Sequence, residues 1–502
     1  MNNMPRTENL RGKFTLLLLK PVVLADKMIE PVRRVAVVGA GVSGVTTAAH
    51  LLAEGVDVTV FERAPIAGGV WVFDPRVPHE PAYPSMKPSV AESTFHDQAK
   101  DDDPYLMHSP PGPAYESLTN NVATEFLQLS LNTWKAGTQA FVRHHVLAEY
   151  IQETAVKTGV HEQTLYNTEV RQVSKDGNVW RIQTCTWDLI KRETALNPWL
   201  FDAVVVASGH YHAPRVPDIP GLAEWKRAYP SRIQHSKRYR NPEGFDNQTV
   251  LIIGGSASSG DIAKELGPVA KKTWQSTRGG KMDVPESWLP PNCTRVTQVA
   301  SFGELSDGSD STTIPGKVVL ADDQVLENID RVIIATGYHF TLPFFPPEYH
   351  QDHTPPAKAD DKVLITDGTM LHNLHKDIFY ILDLTLAFTG VPFYTATFSL
   401  FEFQAIAIAA VFSGQAAIPS QVEMRAEYDQ KVKEKGHGKP FHTLIGEDVR
   451  YAAELMEWVN KGRDPSEKKV DGYSKEWIDS RDKFVLSYWK TGSKENIPQD
   501  GQ

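Results

Sequence analysis

A glycine-rich turn constrains the fold of this chain more than any other feature of its sequence. It follows the apolar run Val35–Val38, which is typical of a buried parallel strand, and it precedes an alanine-rich helical segment. A second strand-like run, Val58–Phe61, ends in the acid Glu62. The turn has the spacing GxGxxG, and its glycines are Gly39, Gly41 and Gly44. Strand, glycine turn, helix, strand and acid in this order predict a dinucleotide-binding unit.

The same turn predicts how a dinucleotide is held. The first glycine allows the tight turn, the second lets the backbone approach a pyrophosphate, and the third permits close packing of helix on strand. Glu62 can accept hydrogen bonds from both ribose hydroxyls and would repel an additional ribose phosphate, which favours FAD or NAD over NADP. Gly68–Trp71 continues the glycine-rich theme, although it also fits an ordinary turn before a core tryptophan. The predicted binding residues are Gly39, Gly41, Val42, Ser43, Gly44, Glu62, Arg63, Gly69, Val70 and Trp71.

About 215 residues later the pattern repeats with a different terminal residue. The strand-like run Thr249–Ile253 leads into Gly254, and serines stand where the second and third glycines are usual. Serine is small, and its hydroxyl can donate to a phosphate. The next strand ends in Thr277–Arg278, which suits the extra ribose phosphate of NADPH, unless Arg278 is an ordinary solvated charge. The predicted residues of this second site are Gly254, Ser256, Ser258, Ser259, Thr277 and Arg278.

Composition and charge argue against several classes of protein. The 502 residues are 41% hydrophobic and 23% charged, as in globular proteins of more than one domain. The net charge of −10 repels a phosphate backbone and argues against nucleic acid as a partner. Cys185 and Cys293 stand far apart, which argues against a disulfide framework, a zinc knuckle or a CxxC redox pair. No metal site is predicted.

The location of the protein is predicted from its apolar runs. None approaches the roughly 20 apolar residues of a membrane-spanning helix. The run Phe14–Leu19 is interrupted by Lys20–Pro21 and has no convincing cleavage site after it, which argues against secretion. We therefore expect a cytoplasmic protein with no transmembrane segment, and peripheral association with a membrane stays open.

Further motifs resemble those of the class B flavin-dependent monooxygenases, specifically the flavin-containing monooxygenase type with fungal features. The resemblance covers about Arg33–Leu455. Tyr229–Tyr239 is similar to the family fingerprint FxGxxxHxxx(Y/F), from which it departs at Tyr229 and Ser231. Other segments similar to family motifs are Ala207–Tyr211, Ala335–Tyr338, Leu386–Gly390 and Phe401–Ala405.

The resemblance also implies a catalytic residue. Tyr115–Asn121 is similar to the segment in which the family places an asparagine beside the flavin, and alignment on Tyr115 and Leu118 assigns that role to Asn121. Where the family continues with proline and a basic residue, this chain has Val122–Thr124. Asn120 and Asn121 could alternatively both be turn residues.

The reaction that the resemblance implies uses FAD, NADPH and O2. NADPH reduces FAD, and a flavin hydroperoxide transfers one oxygen atom to a small organic substrate. Tyr239 stands where the Baeyer-Villiger relatives typically carry Trp, which favours oxygenation at nitrogen or sulfur. A role in fungal secondary metabolism follows by analogy only. The alternatives are a Baeyer-Villiger enzyme acting on a ketone, a flavin-dependent NADPH reductase, and a non-catalytic flavoprotein.

The expected fold is α/β, with two Rossmann-like dinucleotide-binding domains, the NADPH domain being inserted into the FAD domain. Pro75–Pro113 is expected to be a surface excursion. A homodimer is left open. The predicted divisions are an N-terminal extension at 1–32, the FAD domain at 33–222 and 333–460, the NADPH domain at 223–332, and a polar C-terminal tail at 461–502 that wraps the surface or frays.

Overall fold

The computed structural model describes residues 30–91, 103–306, 313–461, 463 and 469–491. The predicted N-terminal extension, with its run Phe14–Leu19, lies outside the described residues except for 30–32, and the last part of the predicted tail also lies outside them. Within the described ranges, no helix has the length and apolar character needed to cross a membrane.

The first part of the chain contains the strands and the main helices that build the first sheet and its surroundings. They are β1 (Arg34–Val38), α1 (Val42–Ala53), β2 (Asp57–Phe61), α2 (Pro104–His108), α3 (His144–Lys157), β3 (Thr164–Leu165), β4 (Thr168–Asp176), β5 (Val179–Asp188), β6 (Glu193–Phe201), β7 (Ala203–Val206) and β8 (Ala213–Pro214).

The middle part is built around the second glycine turn. Its elements are α4 (Leu222–Ala228), β9 (Ile233–His235), β10 (Thr249–Ile253), α5 (Ala257–Leu266), β11 (Lys272–Ser276), β12 (Cys293–Val296), β13 (Val299–Phe302), β14 (Val318–Leu320), β15 (Val325–Leu326) and β16 (Arg331–Ile334).

The last part returns to the first sheet and ends in helices. Its elements are β17 (Tyr338–His339), β18 (Leu374–His375), β19 (Phe379–Tyr380), β20 (Leu386–Phe388), α6 (Thr397–Phe412), α7 (Gln421–Lys435), α8 (Asp448–Lys461) and α9 (Lys475–Thr491).

The first sheet has the strand order β18-β19-β20-β7-β1-β2-β3. Its central strand β1 runs parallel to β2 and β7, so that Val37 lies opposite Val60 and Val205. Continuous apolar sequence suits these strands because both faces of the sheet are covered. On one face Ala36 packs in a cluster with residues of β4, β5 and β6. Helices α1 and α6 both contribute to the core cluster that includes Val37. The apolar run Phe403–Phe412 is too short to span a membrane and predicts a buried helix. This prediction is confirmed by α6, which begins earlier, at Thr397.

The second sheet is wholly parallel and has the order β12-β11-β10-β16-β9. The expectation of an α/β fold with two Rossmann-like units is confirmed. All four residues of β16 belong to this sheet, so the predicted boundary between 332 and 333 falls inside a strand. The chain therefore returns to the first sheet after Ile334.

Parts of the segment Pro75–Pro113 are buried, in contrast to the expected surface excursion. Ser85 is fully buried, and its hydroxyl donates to Pro214 O at 2.7 Å while its N–H donates to Val216 O at 3.0 Å. His108 is also buried, and its Nε2 lies 2.9 Å from Asn167 O. Residues 92–102 lie outside the described part. The prolines and polar residues of this segment predict irregular backbone, but they do not predict whether that backbone is exposed or buried.

The C-terminal tail contains a long helix where the sequence predicts wrapping or fraying. Two aromatic residues one heptad apart on α9, Trp477 and Phe484, lie on the same face. Their ring centroids are 5.5 and 5.3 Å from that of Phe126. Charged residues dominate the composition of this stretch, and its average composition therefore does not reveal the short apolar stripe on the helix.

The first turn shows why glycine is needed at two of its positions. Gly39 has φ +103°, and a Cβ atom there would lie 2.7 Å from Ala207 O. A Cβ atom on Gly44 would collide with Gly39 O and lie 3.3 Å from the Cβ of Ala207. The third glycine thus allows α1 to pack closely on the ends of β1 and β7.

The loop around Asn120 is held by that residue's side chain. Its Nδ2 donates to Val122 O and Ala140 O, both at 2.7 Å, and its Oδ1 accepts from the Val142 N–H at 2.7 Å. Asn120 is buried, whereas the neighbouring Asn121 is exposed. Asn120 therefore stabilises the loop through its side chain, whereas the side chain of Asn121 is exposed and does not make these hydrogen bonds.

We expect Gly44→Ala to destabilise the protein by about 3 kcal/mol, because the added methyl meets a backbone oxygen that cannot move independently. Gly112→Ala is the control, since no heavy atom lies within 4 Å of its Cβ position. Its effect should stay within about 1 kcal/mol. Denaturant unfolding measures both, and equal stability of the two variants would contradict the packing argument.

We expect Asn120→Ala to lower the free energy of unfolding by about 3 kcal/mol, because buried backbone groups lose their partners. Asn121→Ala should change it by no more than about 0.5 kcal/mol, since that side chain is exposed. Thermal and denaturant unfolding of the two variants give the comparison. A larger loss in Asn121→Ala would show that the loop is held differently.

Candidate dinucleotide cavity

Both glycine turns open onto one cavity of about 2500 Å³. Pockets for drug-sized ligands usually measure about 300 to 1,000 Å³, so this cavity has room for considerably more than one such ligand. The turns lie at the carboxyl ends of parallel strands β1 and β10, which is where ligands bind in open α/β sheets. The arrangement can therefore bring two dinucleotides together.

Most of the residues predicted from sequence lie on the wall of this cavity. They are Gly39, Gly41, Val42, Ser43, Glu62, Arg63, Gly69, Val70, Trp71, Asn121, Gly254, Ser256, Ser258, Thr277 and Arg278. Gly44 and Ser259 are not on the wall. Gly44 is buried between α1 and the sheet, as its packing role requires.

Ser259 differs from its prediction as a phosphate donor. Its hydroxyl donates to Gly254 O at 2.6 Å and accepts from Gln275 Nε2 at 2.5 Å. The serine occupies the third-glycine position by bonding to the carbonyl that the side chain would otherwise crowd. Its hydroxyl is thus engaged inside the protein and does not face the cavity.

The first turn has a second layer of backbone beside it. Gly68 and Gly69 have φ values of +136° and +56°, and the Gly68 N–H donates to Ala40 O at 2.9 Å. A Cβ atom on Gly69 would lie 2.9 Å from Gly41 Cα. Gly68–Trp71 is therefore an extension of the glycine turn, and two bare backbone segments meet at the cavity wall.

Glu62 lies at the end of β2, as predicted. Its carboxylate accepts from the backbone N–H of Ala40 at 2.7 Å and of Ala64 at 2.8 Å. Burial raises the pKa of Glu62, and these two donors oppose that rise. The next residue, Arg63, donates to His212 Nδ1 at 2.7 Å, which fixes its side chain beside the cavity.

The second turn repeats the backbone of the first. Gly254 has φ +135°, and Ser256 precedes α5 in the extended conformation that Gly41 has before α1. Asp283, which sequence reasoning missed, lies against this turn and accepts from the Thr277 hydroxyl and from the Gly280 N–H. Thr277 is therefore bonded within the protein, while Arg278 is exposed on the wall.

Arg215 and Lys439 also line the cavity, and sequence reasoning missed both. The backbone N–H of Arg215 donates to Gly337 O at 2.9 Å, and a Cβ atom on Gly337 would lie 3.6 Å from Lys439 Nζ. Burial lowers the pKa of Arg215, and the nearby positive charge of Arg278 lowers it further. These residues come from segments far apart in sequence, so no local pattern could have grouped them with Arg278.

The fingerprint segment joins the two sheets. Lys237 Nζ donates to His212 O at 2.7 Å, and the Tyr239 hydroxyl donates to Glu265 on α5 at 2.7 Å. The Tyr115 hydroxyl also reaches α5, where it donates to Asp261 at 2.6 Å. These bonds fix the segment that carries Asn121 relative to the second turn.

The residues present fit two dinucleotides. The first turn offers bare backbone and a carboxylate at the ribose position, and the second offers bare backbone with cations nearby. The glycines at both turns have no side chain, so their bare backbone lines the cavity at each turn.

Comparisons with known proteins agree with this geometry. The family model for flavin-binding monooxygenase-like proteins matches residues 110–289 and 311–465, and an NAD(P)-binding Rossmann-like model matches residues 37–83. The solved structure of S-allyl-L-cysteine S-oxygenase from Allium sativum covers 94% of this chain and 97% of its own, with a TM-score of 0.70 and 24% identity. That similarity extends over the whole fold.

Two fungal relatives are similar over most of their length. Flavin-containing monooxygenase ustF2 of Aspergillus flavus is 45% identical over 484 residues, which cover 91% of this chain and 97% of the relative. Flavin-containing monooxygenase iboF of Amanita muscaria is 30% identical, with 86% and 88% covered. The resemblance noted in the sequence motifs is thereby confirmed. The chain belongs to the flavin-binding monooxygenase-like family as a fungal-type flavin-containing monooxygenase, an enzyme that uses FAD and NADPH.

Proposed function

We propose that this enzyme inserts one atom of O2 into a small organic substrate at nitrogen or sulfur, in fungal secondary metabolism. The observation that carries the proposal is the single cavity shared by both glycine turns and Asn121. Electrons can pass from one dinucleotide to the other only when their reactive rings meet. A shared cavity provides that meeting place, with an exposed amide beside it.

The first turn is assigned to FAD and the second to NADPH. Glu62 favours a ribose with free hydroxyls, whereas Arg278, together with Arg215 and Lys439, favours a ribose phosphate. Reduced FAD supplies the electrons that activate O2. For an amine the balance is one amine, O2, NADPH and a proton giving the N-oxide, water and NADP. The chain's own residues line the space in which both cofactors would bind.

Asn121 is proposed as the catalytic amide. Its neighbour Asn120 is fully engaged in holding the loop, which leaves Asn121 as the side chain exposed at the cavity wall. An amide positioned there can donate a hydrogen bond to oxygen at the site of transfer. A reductase that works through a redox-active disulfide is disfavoured, because Cys185 and Cys293 are free thiols on strands of different sheets.

The experiment that tests the function is oxygen uptake with NADPH across amines, thiols, sulfides and ketones, with isotope-labelled O2 and mass spectrometry of the products. We expect one labelled oxygen atom in an amine or sulfur product. Esters or lactones from ketones, with no turnover of amines or sulfur compounds, would replace the proposal with a Baeyer-Villiger reaction. NADPH oxidation that yields no oxygenated product would support the reductase.

We expect Arg278→Ala to reduce the preference for NADPH over NADH by roughly tenfold to a hundredfold, or about 1.5 to 3 kcal/mol, because a charge-assisted phosphate contact is lost. The measurement is kcat/KM for each cofactor. Lys272→Ala is the matched control, since Lys272 begins the strand that Arg278 follows and is not on the cavity wall. An unchanged preference in Arg278→Ala would defeat the assignment.

We expect Asn121→Ala to uncouple NADPH oxidation from oxygenation, because the amide no longer donates at the site of oxygen transfer. NADPH consumption should continue while hydrogen peroxide rises and oxygenated product falls. Peroxide and product are measured against NADPH consumed. Tight coupling in Asn121→Ala, or the same leak in Asn120→Ala alone, would move the role to the other asparagine.

A further inference from the structure

The C-terminal helix α9 contributes a wall to the same cavity. Its residues on the wall are Arg481, Asp482, Phe484 and Val485. Phe484 belongs to an apolar cluster with Ala123 and Phe126, which closely follow Asn121 in the chain. The helix therefore borders the part of the cavity that contains Asn121.

Helix α9 lies beyond the residues that the family model matches. The family model ends at residue 465, whereas the helix begins at Lys475. The matched part, taken as this model together with the Rossmann-like model over residues 37–83, contains both glycine turns and Asn121. A wall added from outside that part can differ between members without disturbing how the cofactors are held.

The helix is firmly attached at this place. Arg481 Nη1 donates to both carboxylate oxygens of Asp448 at 2.9 Å, and both side chains are largely buried. The rings of Tyr473 and Trp477 stack with centroids 3.8 Å apart, and Trp477 also contacts Phe126. An ion pair and an aromatic cluster thus hold α9 against the cavity.

The charge on this wall is unbalanced. Arg481 Nε also donates to Asp482 at 2.9 Å, so one guanidinium serves two carboxylates. The three groups Arg481, Asp448 and Asp482 carry a net charge of −1. An anionic substrate would meet a cation that is already paired and an exposed carboxylate beside it. A neutral or cationic substrate would not be repelled.

We propose that α9 is the substrate-selecting wall of this enzyme. Phe484 and Val485 contact the apolar part of the substrate, and Asp482 disfavours a carboxylate on it. The substrate class is therefore a small apolar amine or sulfide without an anionic group. This inference rests on the proposed function, because it takes the space beside Asn121 as the place of oxygen transfer.

The steric test uses Val485→Trp. Val485 is 38% exposed, so the larger side chain can extend into the cavity without displacing the core. The variant should weaken binding and kcat/KM of long-chain dimethylalkylamines at least about tenfold relative to short-chain ones. Leu486→Ala is the control, because Leu486 is on the same helix, 62% exposed and absent from the cavity wall. Binding is measured as the change in flavin absorbance of the holoenzyme.

The charge test uses Asp482→Lys with methyl sulfides of equal length that end in an ammonium, a methyl or a carboxylate group. Wild-type enzyme should bind the carboxylate compound most weakly, and the variant should raise its relative affinity roughly tenfold. The anaerobic rate of FAD reduction by NADPH should stay unchanged in every variant, which separates selection from cofactor binding.

Unchanged binding ratios in both Val485→Trp and Asp482→Lys would overturn the inference, as would an equal shift in Leu486→Ala. Tightest wild-type binding of the carboxylate compound, or no binding of any panel compound, would overturn the substrate class. The proposed function fails separately when wild-type enzyme binds these compounds but adds no labelled oxygen to any. In that case the binding ratios still decide whether α9 selects the ligand.

Discussion

Two close approaches between backbone atoms support the rest of this structure. Gly39 faces Ala207 O at the end of the first sheet, and Gly254 faces Ala335 O at the end of the second. The hydrogen bonds around them match, since Gly39 N–H donates to Phe61 O and Gly254 N–H to Ser276 O, both at 2.8 Å. Any side chain at either glycine would separate turn from sheet. Because glycine makes both approaches, each sheet presents backbone without a side chain to the shared cavity at its turn.

The relation between the two sheets depends on buried side-chain hydrogen bonds. Tyr115 and Tyr239 both bond to carboxylates of α5, while Lys237 reaches back to the carbonyl of His212. Such bonds are costly to break inside the protein, since a buried partner would be left unsatisfied. They set the position of the Asn121 loop between the cofactor turns. The family fingerprint is therefore a junction, and its tyrosine contacts the helix of the second unit.

The sequence predicted the elements whose geometry is local. Strand β10 has the predicted bounds, and β1 and β2 each begin one residue before the predicted start. The prediction was wrong for a side chain that can hydrogen-bond to more than one partner. Ser259 was expected to face a phosphate, but its hydroxyl bonds to Gly254 O. The hydroxyl's direction depends on neighbouring strands, which the local sequence does not reveal.

The sequence by itself determined the two glycine turns, the acid that ends β2 and the basic residue after β11, because apolar periodicity and glycine spacing dictate backbone geometry over a few residues. Only the tertiary structure decided which remote groups join them. Arg215 and Lys439 meet beside Gly337, and α9 closes the wall near Asn121. These encounters join segments far apart in the chain. They arise from packing and charge pairing between these segments, and the spacing of residues within one segment does not predict them.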